Sequence, residues 1–232
     1  MVTSRSVAAL PQVEDRIAEA ARRAGREPSE VRLVAVTKGH PLDVVEDAIA
    51  AGIQDLAENR VEALLHRVER YADASVRWHM VGHLQRRKAP QVRGQVHLLH
   101  SLDSLKLARR LERTAGEDEP LLSVLAQVNT SGEESKGGFE PEALVESVGE
   151  ILECTSLRLH GLMTMAPLTD DEALLRATFG RLRALRDQLD RELPDYDGPE
   201  LSMGMSNDYE IAIEEGSTMV RLGTALFGER NG

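Results

Sequence analysis

Residues 32–51, RLVAVTKGHPLDVVEDAIAA, hold one copy of the pattern that organises the whole chain. The run Arg32-Leu33-Val34-Ala35-Val36-Thr37-Lys38 is rich in residues that favour extended backbone and too brief for a helix, so it predicts a strand. Gly39 interrupts it, Pro41 suits the start of a helix, and the stretch to Ala51 spaces its apolar residues helically. The unit is a strand, a turn and a helix.

That unit recurs as architecture, not as repeated sequence. Further strands are predicted at Ile53–Glu58, Arg77–Leu84, Val96–Leu102, Leu121–Val128, Arg158–Met165, Leu201–Gly204 and Thr218–Gly223, which makes eight with the first. Helical spacing falls between them at Arg60–Tyr71, Gln85–Arg93, Ser104–Ala115, Pro141–Glu153, Asp170–Leu193 and Asn207–Glu215. Ahead of all of them, Ser6 to Gly25 places Val7, Leu10, Val13, Ile17, Ala20 and Ala21 on one helical face. Strict alternation, with several strands apolar on both faces, implies a parallel sheet covered by helices. Eight units in about 200 residues suit closure. The predicted fold is α/β: a single (β/α)8 TIM-type barrel domain over residues 1–232, with an extra N-terminal helix, within residues 1–30, packed on it. An open doubly wound sheet is the alternative.

Composition narrows the functions. The 232 residues are 41% hydrophobic and 29% charged, enough apolar material for one core. The net charge of −11 disfavours phosphate backbones and anionic lipid, so neither nucleic acid nor membrane is an expected partner. Aromatic residues at 3% argue against base-stacking platforms and aromatic sugar clefts. The single Cys154 leaves no internal disulfide and no cysteine cluster for a metal. With no apolar leader-like stretch near the N-terminus, the expected location is cytoplasmic.

In barrels of this kind the chemistry lies at the carboxyl ends of the strands. Lys38 ends an apolar strand, which places an amine beside a low-dielectric interior and predicts a lowered pKa and a nucleophile for carbonyl groups. The plainer reading is a lysine snorkelling at a strand end. In Ser202-Met203-Gly204-Met205-Ser206-Asn207-Asp208, a glycine and a hydroxyl precede a helix, a pattern suited to phosphate. Alternatively, Ser206 or Asn207 is an N-cap, with Glu210 completing a capping box. Arg221-Leu222-Gly223-Thr224 offers a second phosphate loop, and the loops after strands seven and eight are the usual phosphate site of such barrels. His79 and His83, read within one strand, stand about 13 Å apart, too far for one metal. Residues 131–139 lack the spacing of a nucleotide phosphate loop and read as a loop over the barrel mouth. Cys154 and the methionines at 163, 165, 203 and 205 read as structural.

The segments LVAVTKGHP, AENRVEALLHR, WHMVGHLQRRK, VNTSGEESKGGF, LHGLMTMAP and LSMGMSNDYEIAIEEGSTMVRLGTALFGER resemble the pyridoxal phosphate homeostasis protein family, small barrels related to the N-terminal domain of alanine racemase. They run from about residue 31 to residue 230. Two departures stand out: Thr37-Lys38-Gly39 where the family pattern is Ser-Lys-Thr, and Ala57-Glu58-Asn59-Arg60 where it is Gly-Glu-Asn-Tyr. The resemblance implies that Lys38 carries pyridoxal 5'-phosphate as an internal aldimine. It implies phosphate contacts from Ser206, Gly223 and Thr224, with Arg221 facing the pyridine nitrogen and Asn59 near the ring; His83 is left unassigned.

A permanently charged arginine at that nitrogen can only donate to an unprotonated ring, which makes a poor electron sink. Racemisation also needs a base on each face. In alanine racemases the second is a tyrosine of the other subunit, whose C-terminal β domain helps form the site. This chain ends at Gly232, so that domain is expected to be missing. Tyr71 and Tyr196 fall away from the strand ends, and Tyr209 is the one tyrosine expected to approach. The resemblance therefore implies a carrier in cofactor homeostasis with no catalytic residue, acting as a monomer or weak dimer, with apo enzymes that use the cofactor as candidate recipients. A slow amino-acid racemase is the alternative, and a Schiff-base aldolase a more distant one.

Overall fold

Pro11 stands in the first turn of α1 (Leu10–Arg23), where its missing N–H is no loss, and Arg22 and Arg23 close the helix at the negative end of its dipole. The computed structural model describes residues 7–133 and 136–229, so the predicted helix start at Ser6 lies outside the described residues. The chain continues through β1 (Arg32–Val36), α2 (Leu42–Ala50), β2 (Asp55–Glu58), α3 (Val61–Arg70), β3 (Arg77–Met80), α4 (Ala89–Val92) and β4 (Leu98–Leu102). Then follow α5 (Leu105–Glu112), β5 (Leu122–Gln127), α6 (Leu144–Leu152), β6 (Leu157–Met163), α7 (Glu172–Glu192), β7 (Glu200–Ser202), α8 (Tyr209–Glu214), β8 (Met219–Leu222) and α9 (Thr224–Phe227).

All eight strands are parallel and paired in sequence order, and β8 returns to β1 with Arg221 opposite Val34, closing the barrel. The open-sheet alternative is thereby excluded. Strand alternation divides the core in two. Val34 and Val36 of β1 join an inner cluster with Ala57, Leu98, Leu125, Met163 and Met219. Ala35, between them, joins the larger layer under the helices with Leu64, Leu111, Val148 and Phe179. Each large side chain so buried stabilises by about 1.5–3 kcal/mol.

The extra helix has its own layer: Val13, Ile17, Ala20 and Ala21 of α1 pack with Tyr209, Ile213, Val220 and Leu222. The Arg23–Glu214 ion pair at 2.6 Å lies at the rim of this contact. Exposed pairs contribute less than about 1 kcal/mol, so the apolar layer is what holds α1 in place.

Several boundaries differ from the predicted ones. β1 ends at Val36 and β3 at Met80, which puts Thr37-Lys38 and Val81–Leu84 in loops. The helix expected over Gln85–Arg93 is instead a 3-10 turn, Arg86–Lys88, and then α4. Pro90 falls in the first turn of α4 and is incompatible with a helix interior, so the helix has to restart there. The last predicted helix begins at Tyr209 and not at Asn207, and α9 was not anticipated.

Candidate functional site

The carboxyl ends of β1, β2, β7 and β8 bring together most of the polar groups singled out by sequence. Lys38 lies two residues beyond β1 and is exposed, which corrects the expectation of an amine against the low-dielectric interior. Gly39 takes φ +73°, a left-handed turn that glycine accepts at no steric cost. β1 has already ended at Val36, so Lys38 stands in the loop and not in the strand.

The backbone on either side of Lys38 is held firmly. Arg67 donates from Nη2 to the carbonyl of Thr37 at 3.3 Å and to that of His40 at 2.8 Å, bracketing the lysine. Its Nε sits 2.8 Å from Glu58 Oε1, which also accepts the Thr37 hydroxyl at 2.6 Å. Glu58 is 1% exposed and Arg67 6%. Burial pushes the Glu58 carboxyl above its ordinary range, against the opposing pull of Thr37, Arg67 and Lys38. Sequence reasoning passed over Arg67. Its signal was present: Arg67 continues the i, i+3 buried face of α3 set by Val61 and Leu64.

Arg221 is 5% exposed inside the barrel. Its Nη1 donates to Ser202 O at 2.7 Å and to Ser202 Oγ at 2.6 Å, and its Nη2 to the carbonyl of Thr164 at 2.9 Å. Burial lowers its pKa to about 10, with Asp208 opposing, so the group stays charged at neutral pH. Those bonds leave further N–H groups over for a ligand.

The loops after β7 and β8 are tied together. Ser206 Oγ accepts the Ala225 N–H at 3.0 Å, and the Arg221 N–H reaches Gly204 O at 3.0 Å. Gly204 takes φ +95°, and a Cβ there would lie 2.7 Å from that of Ala212, so the loop lies flat against α8. Ser206 is therefore not an N-cap. Asp208 precedes α8 and accepts the Met205 N–H at 2.6 Å, while Glu210 pairs with Arg16 and Arg23; no capping box forms. The Ser206 hydroxyl proton remains available to a ligand. Gly223 and Thr224 lie where β8 meets α9, and a Cβ on Gly223 would sit 3.3 Å from Val36 O. The second loop thus adjoins the end of β1.

Other expected residues fall elsewhere. Asn59 follows β2, half-buried, on the far side of β1 from the β7 and β8 loops. His79 and His83 do not share a strand: His79 is buried in β3, while His83 is exposed, 2.8 Å from Asp103, beside a cavity of about 680 Å³ at the ends of β3 and β4. Lys136 reaches the carbonyl of Met165 at 3.3 Å, which ties the loop after β5 across to the end of β6.

Tyr209 lies beside the ends of β7 and β8, against Gly204 and Leu222, but its side chain packs on the α1 side of them. Its ring is buried with α1, and Arg16 lies 5.7 Å from its centroid. Tyr196 donates to Gly198 O at 2.7 Å, and Tyr71 reaches Leu42 O at 3.3 Å. Burial pushes the Cys154 thiol up, which suits an inert side chain.

Comparison with known proteins gives a consistent result. Residues 9–231 match the family described as alanine racemase, N-terminal domain. The pyridoxal phosphate homeostasis protein of Aquifex aeolicus is 42% identical over 221 residues, 95% of this chain and 96% of that protein. A Bifidobacterium adolescentis protein superposes with a TM-score of 0.88 at 37% identity, covering 94% of this chain and 93% of the other. PipY of Synechococcus elongatus, solved with PLP bound, superposes with a TM-score of 0.82 at 35% identity, covering 94% of this chain and all (100%) of that one. With near-complete coverage on both sides, and a closed eight-stranded parallel barrel in the strand order, this chain belongs to the pyridoxal phosphate homeostasis protein family.

Proposed function

We propose that this chain holds pyridoxal 5'-phosphate at the mouth of its barrel, covalently as the Lys38 aldimine, and takes part in the homeostasis of that cofactor without catalytic turnover. The observation that carries the reading is the donor set on three adjacent strands: the Lys38 amine after β1, the Ser206 hydroxyl after β7 and the buried Arg221 guanidinium in β8. Such a set suits a ligand with an aldehyde, an anionic phosphate and a ring acceptor.

In this reading Ser206, Gly223 and Thr224 bind the phosphate, Arg221 donates to the pyridine nitrogen and Asn59 borders the ring. Bound there, the cofactor supplies an aldehyde that condenses with amines and a ring that withdraws electrons from the attached carbon. Arg221 carries a charge of its own and donates without giving up a proton, so it limits that withdrawal. In favour of a carrier over a racemase, the Tyr71 hydroxyl is engaged with the Leu42 carbonyl, the Tyr196 hydroxyl with the Gly198 carbonyl, and the Tyr209 ring is packed against α1. A cytoplasmic location accords with the absence, among the described residues, of a helix long and apolar enough to cross a membrane.

The test is to load the protein with pyridoxal 5'-phosphate, reduce it with borohydride and digest it. The label is expected on the peptide containing Lys38. A Lys38→Ala protein with unchanged absorbance and equal resistance to dialysis would overturn the covalent assignment. Rapid Lys38-dependent exchange of an amino acid's α-proton into deuterated water would overturn the non-catalytic one.

A further inference from the structure

Arg221 is the upper end of a chain of buried polar groups that crosses the barrel interior. Ser202 Oγ, which accepts from Arg221, lies 2.8 Å from His100 Nδ1. His100 Nε2 lies 2.9 Å from His79 Nδ1, and His79 Nε2 lies 2.9 Å from Asp55 Oδ1. Asp55 also accepts two bonds from Arg77, at 2.7 and 2.5 Å, and both residues line a cavity of about 220 Å³ at the opposite end of the barrel from Lys38. Ser202, His79 and His100 have no exposed surface.

The two ends fix the direction of every link. A guanidinium only donates and a carboxylate only accepts. His79 must then carry its proton on Nε2 to serve Asp55, and as a neutral ring it presents a lone pair at Nδ1. His100 must in turn donate from Nε2 and accept at Nδ1, and the proton it accepts there is that of Ser202. The serine oxygen is left to accept from Arg221, so each group has one role and none is left unpaired.

We infer that Ser202, His100 and His79 form a one-way hydrogen-bond chain by which Asp55, at the floor of the barrel, sets the orientation of Arg221 at the mouth. These four are positioning residues for Arg221. The consequence for the cofactor rests on the proposed function above; the chain itself does not. Hydrogen bonds in series polarise one another at low dielectric, so a change at Asp55 reaches the guanidinium across four links.

The direct test is the nitrogen NMR of the histidine rings in ligand-free protein. Both His79 and His100 are expected as the neutral Nε2–H form near neutral pH. Asp55→Asn offers an amide that can donate or accept, and is expected to turn both rings into mixtures of tautomers, including His100, which Asp55 does not touch. Ser202→Ala keeps the Asp55 end and is expected to leave both rings as Nε2–H, which guards against a misfolded Asp55 variant. An Nδ1–H or charged ring in the unsubstituted protein overturns the chain, as does an Asp55→Asn variant in which only His79 responds.

With pyridoxal 5'-phosphate bound, Asp55→Asn is expected to shift the absorption band in the same direction as Arg221→Glu. A shift in Arg221→Glu alone overturns the positioning role. No shift in either overturns the ring-facing assignment of Arg221, while the tautomers still support the chain.

Discussion

Lys38 and Arg221 are both cations on adjacent strands of one barrel mouth, and they are held in opposite ways. Lys38 has an exposed side chain beside a left-handed glycine turn, and order is imposed on the backbone around it by Arg67. Arg221 has its side chain itself fixed by Ser202 and Thr164. The difference follows the chemistry each is proposed to do. An amine that must form and release a bond to a ligand needs freedom at its tip, whereas a fixed donor to a ring atom loses little entropy if its rotamer is already set.

The sharpest way to break the Lys38 side is Arg67→Ala. It removes the charged partner of Glu58, leaving that buried carboxylate with the Thr37 hydroxyl, and takes the arginine's bonds from the Thr37 and His40 carbonyls, so a loss of about 3–5 kcal/mol is expected, read as a lower urea midpoint. The double substitution Arg67→Met with Glu58→Gln removes both charges together and is expected to recover part of that loss. Equal losses in the single and double variants would show that the arginine's bonds to the Thr37 and His40 carbonyls, and not the ion pair, hold the turn.

The Arg221 side is better broken with acid. His79 and His100 are both kept below the ordinary histidine value, first by burial. In the unfolded chain they take up a proton near pH 6.5, and in the folded one only at lower pH, so below about 6.5 the unfolded state binds more protons and is favoured. The stability from neutral rings is therefore complete above about pH 6.5 and declines as pH falls, by up to about 1.4 kcal/mol per pH unit for each ring. Asp55 lies well below the usual carboxylate range, because Arg77 and His79 outweigh its burial, and it stays charged throughout that window. Urea unfolding near pH 7.5 and near pH 5.5 should give a lower midpoint in acid, with a smaller drop in His100→Gln. An equal drop in that variant would place the acid sensitivity elsewhere, for instance at His97 or His160, which burial also lowers.

The contrast also shows what was legible in the sequence. Arg221 was found because it sits in a strand with Gly223 and Thr224 following, a pattern local in the chain. Its supports were not found, because Ser202, His100, His79 and Asp55 belong to four other strands and meet only once the barrel closes. The eight-strand alternation was legible because each unit shows the same switch from a short apolar extended run to helical spacing. The ends of β1 and β3 were not, since pairing stops at Val36 and Met80, two and four residues before the predicted ends at Lys38 and Leu84. Charged or polar residues in apolar phase, Arg67 on α3 and His100 on β4, are the trace these supports leave in the sequence.

Beside Arg221, Ser206 joins the loops after β7 and β8. Removing its hydroxyl takes away the acceptor for the Ala225 N–H and a donor to the proposed phosphate. Ser206→Ala is expected to weaken retention of pyridoxal 5'-phosphate on the order of tenfold, corresponding to about 1–1.5 kcal/mol for one hydrogen bond. Competitive dialysis against a pyridoxal phosphate scavenger would measure it. Unchanged retention would place the phosphate away from the β7 loop.

Tyr209 gives the smallest expected effect and the cleanest control, because it lies outside both regions. Its hydroxyl is buried without a hydrogen-bond partner among the described residues, and its ring packs among α1 residues with Arg16 over one face. A buried hydroxyl without a partner carries a desolvation cost that phenylalanine does not, at nearly the same volume. Tyr209→Phe is therefore expected to be neutral or to stabilise by about 1 kcal/mol, with cofactor absorbance and retention unchanged. A second base contributed by this chain would require the opposite: loss of α-proton exchange, or a shift in the bound spectrum, on deleting one oxygen atom. Measuring stability, spectrum and exchange on that one variant separates a residue that fastens α1 to the barrel from one that works at its mouth.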